Sequence, residues 1–306
     1  RVIGLDNFST GKRHNLTGVL AGVHPGQRKR FKLIEGSVNH YDTCFRACEC
    51  VDYVLHHSFV PSDELSIDDT LRNHASNVNG FLNMLVAAKK QRVQRFVYAS
   101  CSSVYGDNPL LPQVESNLGR PLTLNAVTKR ISELYADLFS SLYGLETIGL
   151  RYFNVFGGRQ DHEGPSATVI PRWIHAMAHN QPALMNGDGS TTRAYCYVAN
   201  VVQANLLSAM TPNRDALGSV FNIASPETTT LKEVFTSIRR RLLPRFPHLS
   251  KYDPMHVDNR AEDARHPMAD ISKARNLLGY EPTHNFEQGL DATLNYYLNT
   301  VSCTAH

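Results

Sequence analysis

Short apolar runs alternate along the chain with stretches of helical period. Residues 2–5, 31–34, 51–56, 95–99 and 147–152 read as strands. Between them, Leu71, Val78, Leu82, Leu85 and Val86 recur at helical spacing over 68–90, and Ile131, Leu134, Leu138 and Leu142 do so over 125–143. Each of these helices is expected to lay its apolar stripe on the sheet. Regular alternation of strand and helix predicts an α/β fold built on a doubly wound parallel sheet.

Beyond residue 151 the texture changes. Glycine- and proline-bearing loops predominate, with a helix expected near 169–179 and a tight turn at Asn186-Gly187-Asp188-Gly189, which together read as a lid. The run 198–209 and a strand at 220–223 are expected to rejoin the sheet, while 231–243 and 270–278 read as helices of a smaller lobe. The predicted organisation is a large sheet domain over 1–165, rejoined by 191–224, and a smaller C-terminal α/β lobe over 166–190 and 225–306. A chain of 306 residues can build both cores.

Composition narrows the function. With 42% hydrophobic and 19% charged residues the chain is an ordinary globular protein, not a disordered one. The net charge of +3 is small, and the basic runs Arg28-Lys29-Arg30 and Arg239-Arg240-Arg241 lack interleaved aromatics, which argues against nucleic acid. No apolar run reaches the roughly 20 residues of a membrane span, and a basic-then-apolar leader is absent from the first residues. Cys44, Cys48, Cys50, Cys101, Cys196 and Cys303 show no paired spacing, so free thiols and a cytoplasmic location are expected. Cys44 and Cys48 fit one face of a short helix and read as packing rather than zinc ligands.

Candidate chemistry begins at Asp6, at the end of the first strand. In dinucleotide-binding folds an acidic residue about 20 residues beyond a G-x-G-x-x-G turn takes the adenosine ribose hydroxyls, and that turn seats the pyrophosphate on a helix N-terminus. The chain opens directly on the strand of Asp6 and contains no such turn. The first β-α unit is therefore expected to be missing from the sheet's centre, leaving backbone groups of its two neighbours unpaired.

Five segments carry a resemblance, in chain order: Asp6-Asn7-Phe8-Ser9-Thr10-Gly11, Asn77-Val78-Asn79-Gly80, Ser102-Ser103-Val104-Tyr105-Gly106-Asp107, Arg151-Tyr152-Phe153-Asn154-Val155-Phe156-Gly157, and Ala269-Asp270-Ile271-Ser272-Lys273-Ala274. Together they resemble the extended short-chain dehydrogenase/reductases. Within these the chain is most similar to NAD-dependent UDP-sugar 4-epimerases, of the branch that supplies UDP-N-acetylgalactosamine-type precursors for bacterial surface polysaccharides. The resemblance implies a Rossmann-like sheet, NAD, a UDP-sugar and a homodimer formed through the helices that follow Asp68 and Asn125. It also implies hydride transfer from the sugar C4 to NAD through a transient 4-keto sugar.

In that family a Tyr-x-x-x-Lys pair moves the proton, the lysine charge lowering the phenol's pKa. Here the pair reads Asn125 and Lys129, and an amide has no proton to exchange. Asn125 reads instead as the N-cap of its helix. The family's serine for the same hydroxyl falls on Cys101, a weak donor, and Ser103 matches a further hydroxyl position. Ser102 and Ser103 stand where sugar 4,6-dehydratases carry an acid pair, which disfavours dehydration.

The resemblance assigns Asp6, Asn7, Asn77, Lys129 and Tyr152 to NAD, with Asp6 repelling the 2'-phosphate of NADP. Ser37 replaces an aspartate beside the adenine. His56-His57-Ser58-Phe59 puts bulk where small residues let the cofactor through, so binding should be weaker; His56 and His57 read as packing and turn residues. Asn154, Val169, Arg193, Arg260 and Pro267 fall on substrate positions. The arginine fork suits a diphosphate, and a compact Pro267 leaves room for an N-acetyl group. Ala194 and Glu262 depart from the family's aspartate and glycine. The expectation is a UDP-N-acetylglucosamine 4-epimerase-type protein of impaired turnover. The other readings are a catalytically inactive relative that binds nucleotide sugar, and a gene fragment.

Overall fold

A computed structural model describes residues 1–61, 67–164, 167–258 and 268–302. In chain order the strands are β1 (Val2–Asp6), β2 (Phe31–Glu35), β3 (Tyr53–His56), β4 (Arg95–Cys101), β5 (Glu146–Tyr152), β6 (Val155–Phe156), β7 (Leu184–Asn186), β8 (Thr192–Ala194), β9 (Cys196–Tyr197), β10 (Ser219–Ile223), β11 (Thr228–Thr230) and β12 (Met255–Val257). The helices are α1 (Arg13–Ala21), α2 (Pro25–Arg28), α3 (Tyr41–Ala47), α4 (Ile67–His74), α5 (Gly80–Lys90), α6 (Leu124–Tyr143), α7 (Val169–Ala178), α8 (Val198–Met210), α9 (Leu231–Leu242), α10 (Ser272–Leu278) and α11 (Phe286–Ser302).

The expected strands form a parallel-sheet α/β, Rossmann-like fold, but the array is in two pieces. One sheet has the order β10-β5-β4-β3 and a second consists of β1 and β2, paired in parallel. Among the described residues β1 has only β2 beside it, and β3 only β4. Side chains of β3 alternate accordingly: Val54 and His56 are buried, whereas Tyr53 and Leu55 are exposed. A doubly wound sheet normally covers both faces.

Packing divides the chain into two compact units: residues 1–100, 123–149 and 208–220, and residues 101–122, 150–207 and 221–306. This places 101–122 and 150–165 with the C-terminal elements, a different partition from the one expected by ligand. In the first unit α3, α5 and α6 bury Cys44, Phe81, Leu85 and Phe139 against Phe96 and Tyr98 of β4. Cys44 and Cys48 lie in this core as free thiols. In the second, Trp173, Ile174 and Met177 of α7 pack with Val234, Phe235 and Ile238 of α9 and Leu290 of α11. Helix α7 is thus a core element of the second unit. The run 198–209 is a helix, α8, and only 219–223 joins the sheet.

Three local expectations are corrected. The stretch 68–90 is not one α-helix: a π turn over Ala75–Asn79 separates α4 from α5, a feature apolar periodicity cannot register. The N-cap of α6 is Thr123, whose Oγ1 accepts the Ala126 N–H at 3.1 Å, so Asn125 lies inside the first turn. Finally, α6 turns its small and polar face inward, burying Ala126, Lys129, Ser132, Glu133, Ala136 and Phe139. Leu134, Leu138 and Leu142 point outward, at 54%, 41% and 67% exposure, and Leu71 of α4 is likewise exposed. The leucine stripe expected on the sheet faces solvent instead, and polar side chains of the inward face find partners on the sheet. Glu133, for example, is held at 2.7 Å by Ser100 of β4.

Candidate functional site

In the first unit, candidate side chains gather at the C-terminal ends of β1, β3 and β4. Beyond β1, Asp6 Oδ1 accepts the Phe8 N–H at 2.7 Å and Asn7 Oδ1 accepts the Ser9 N–H at 3.1 Å. These bonds hold a turn in which Phe8 has φ 54°. Asp6 itself is exposed, and a Cβ on Gly11 would come within 3.1 Å of its other carboxylate oxygen. The missing side chain leaves a cradle beside an anionic acceptor, which fits a ribose diol.

Asn77 lies in the π turn and engages both backbone groups of one residue, Val60. Its Oδ1 accepts the Val60 N–H and its Nδ2 donates to the Val60 carbonyl, both at 2.8 Å. Asn73, on α4, donates to the same carbonyl at 2.7 Å and to Asn125 Oδ1 at 3.4 Å. One helical turn beyond Asn125, the buried Lys129 ammonium donates to the Ala99 carbonyl at 2.7 Å and lies 4.3 Å from the centre of the Phe59 ring. His56 stacks on Phe96 and meets the edge of Phe81. Burial first, and the Lys129 charge second, push its pKa down to about 3, so it is a neutral packing group.

The second unit holds the other candidates. Cys101 Sγ and Ser103 Oγ share a hydrogen bond of 2.6 Å across a 3₁₀ turn, Ser102–Tyr105. That turn ends at Gly106, with φ 58°, where a Cβ would stand 1.9 Å from the Arg120 carbonyl oxygen; only glycine fits. The Tyr152 hydroxyl accepts a bond from Asn205 at 2.9 Å, and burial pushes the phenol's pKa up. Asn154, at φ 21°, donates to the Ala194 carbonyl at 3.0 Å, beside Arg193 on β8. Arg193 pairs in antiparallel register with Thr229 of β11. Val169 opens α7 and packs against the core. Arg260, Glu262 and Pro267 lie outside the described residues.

The first unit therefore brings together Asn77, Asn125 and Lys129, and the second brings Cys101 to Ser103 and Asn154 to the strand of Arg193. Sequence reasoning missed Asn73. Its only signal is the four-residue spacing from Asn77, which does not reveal that both reach back to one peptide. It also found the bulk of Phe59 without its target. Lys129 can donate and hold a positive charge, whereas the three amides around it can orient a hydroxyl but not remove its proton.

A family model described as the NAD dependent epimerase/dehydratase family matches residues 1–224. The structure is similar to that of the UDP-N-acetylglucosamine 4-epimerase from Methanobrevibacter ruminantium in complex with UDP-N-acetylmuramic acid. The TM-score is 0.86 at 30% identity, covering 98% of this chain and 91% of that one. It is also similar to the UDP-glucose 4-epimerase of Thermotoga maritima with UDP-glucose, at TM-score 0.85, 30% identity and the same coverages. A third likeness is to the UDP-glucose 4-epimerase of Thermus thermophilus in complex with NAD, at TM-score 0.80 and 26% identity, covering 97% and 91%. With the doubly wound fold, the Asp6 turn and the helical pairing of Asn125 with Lys129, these findings settle the relationship: the chain belongs to the NAD-dependent epimerase/dehydratase family.

Proposed function

We propose that the chain binds NAD and a UDP-sugar of the UDP-N-acetylglucosamine class as a 4-epimerase-type protein whose own turnover is low. The observation that carries this reading is Asn125 on the first turn of α6, one helical turn before the buried Lys129. The cation that serves the cofactor side is retained and the proton-transfer group is not. When bound, NAD supplies the hydride acceptor for the sugar C4. Asp6 accepts ribose hydroxyls and disfavours a 2'-phosphate, and Lys129 supplies the positive charge on the cofactor side. Asn154 and Arg193, with Arg260, hold the diphosphate, and Ser103 orients the sugar hydroxyl. By ligand, 1–165 with 191–224 forms the NAD-binding part, and 166–190 with 225–306 the substrate part. The neighbouring UDP-N-acetylglucosamine 4-epimerase supports the sugar class, and the free thiols of the described cysteines support a cytoplasmic setting. A second reading, a non-catalytic nucleotide-sugar binder, is favoured by the same Asn125.

Thermal melts of the chain alone, with NAD, and with UDP-N-acetylglucosamine test binding directly. Each ligand at about a hundred times its Kd should add about 2.7 kcal/mol and raise the midpoint by roughly 5 °C. No shift with either ligand would defeat both readings.

The outward leucines of α6 support a homodimer with a second copy on that face. Leu134, Leu138 and Leu142 are already partly covered, so burying the rest is worth roughly half of the 1.5–3 kcal/mol of a fully exposed leucine, counted once in each copy, against an association cost of about 4–15 kcal/mol. Sedimentation of the wild type at micromolar concentration should give twice the chain mass, and Leu138→Glu should give the monomer with its fold intact. A monomeric wild type rejects the dimer.

A further inference from the structure

Lys129 is the best placed cation of the first unit, yet its ammonium faces an aromatic ring of the chain itself. The Phe59 ring centre is 4.3 Å away, within cation–π reach. The ring is not loosely placed. The next residue, Val60, is clipped to the helical layer by three hydrogen bonds, two from Asn77 and one from Asn73, of 2.7–2.8 Å. Asn73 is almost fully buried, and its Oδ1 has no hydrogen-bond partner. Two buried amides are thus committed to one peptide, and the product of that commitment is the position of Phe59.

From this we infer that Phe59 is a built-in cover over Lys129, which any ligand contacting the ammonium must displace. The inference deepens the proposed function and rests on it for the ligand's identity as a dinucleotide; the cover itself does not depend on that identity. The chemistry is a competition between two partners for one cation. A quadrupolar ring face satisfies the ammonium where water is scarce, so a ribose hydroxyl must replace both the ring and its share of burial. Displacement of the ring requires the Val60 clip to give or the Phe59 side chain to rotate. Phe59 is itself half-buried, so shortening it leaves the core of the unit intact.

The test labels Lys129 in the full chain with acetic anhydride and reads acetylation of that residue by peptide mass spectrometry. Wild type, Phe59→Ala and Phe59→Leu are compared, with and without NAD, across a pH series that separates access from basicity. Phe59→Ala should speed acetylation of Lys129 roughly tenfold, as loss of a cation–π contact predicts, and Phe59→Leu should fall between. Lys129 labelled equally in all three overturns the cover, even if NAD binds. Faster labelling in Phe59→Ala that NAD suppresses upholds both the cover and the NAD reading. Faster labelling that NAD leaves untouched upholds the cover and removes NAD from Lys129, and a melt without NAD response would then confirm that the proposed function has failed on its own.

Discussion

Asn125→Tyr in the full chain is expected to raise the rate of UDP-N-acetylglucosamine 4-epimerisation by about 10²- to 10⁴-fold, the usual worth of a positioned acid-base group. Asn125 lies in the first turn of α6, four residues before Lys129, so a phenol there stands on the helix face that carries the ammonium. A positive charge close to a phenol favours the phenolate and brings its pKa toward neutrality. The bond that Asn73 now donates to Asn125 Oδ1 is long, at 3.4 Å, so the substitution gives up little. Proton NMR of the sugar anomeric signals measures the product directly. Asn125→Phe is the control, since it supplies the ring without the hydroxyl and should give no gain. Ligand-induced stabilisation that persists while Asn125→Tyr remains inactive would favour the non-catalytic reading.

Arg151→Met should cost about 3–5 kcal/mol of stability, the penalty for breaking a buried charged network on one side. Arg151 is 1% exposed. Its guanidinium donates to the Tyr105 hydroxyl at 3.2 Å and to the Glu115 carbonyl at 2.9 Å, and lies over the Tyr105 ring. Tyr105 in turn donates to Asn222 at 2.5 Å, and the Asn222 N–H donates to the Glu115 carboxylate at 2.8 Å. Burial raises the Glu115 pKa, and the Asn222 N–H and the Lys273 and Arg151 charges oppose it, so deleting the arginine removes one of the groups that steady this carboxylate. Arg151→Lys should recover less than half the loss, because a point charge cannot serve both acceptors of the planar fork. Urea midpoints with unchanged slope measure both. A loss under about 1 kcal/mol for Arg151→Met would show that the network is not carrying the second unit.

These residues show what the sequence made legible. All five early strands were readable because an apolar run between turn signals has few other meanings in an alternating chain. Helix existence was readable for the same reason. Which way a helix faces is not: on α6 the leucines announce an apolar stripe, but periodicity does not say whether that stripe lies on the sheet or on the surface. The chemistry of Asn125, an amide without a proton to exchange, is legible from its identity alone; its place in the helix is not, because Thr123 two residues earlier is an equally good cap and takes that role. Arg151 and Tyr105 belong to segments that announce ancestry, yet their contacts are internal struts. The partners of such struts, Glu115 and Asn222, are far apart in sequence and carry no local pattern. Phe59 stands out as bulk where the resemblance implies small residues; its placement on Lys129 depends on Asn77 in a π turn, which leaves no periodic trace in the sequence.

The polar struts of the second unit also bear on how that unit absorbs sequence change. Arg151, Tyr105, Asn222 and Glu115 close a ring of hydrogen bonds in which each residue holds two others. Substitutions inside such a ring do not add: once one member is lost, its neighbours have already lost a partner, and removing them costs less than it would alone. The unit is therefore sensitive to the first change among these residues and more tolerant of the second.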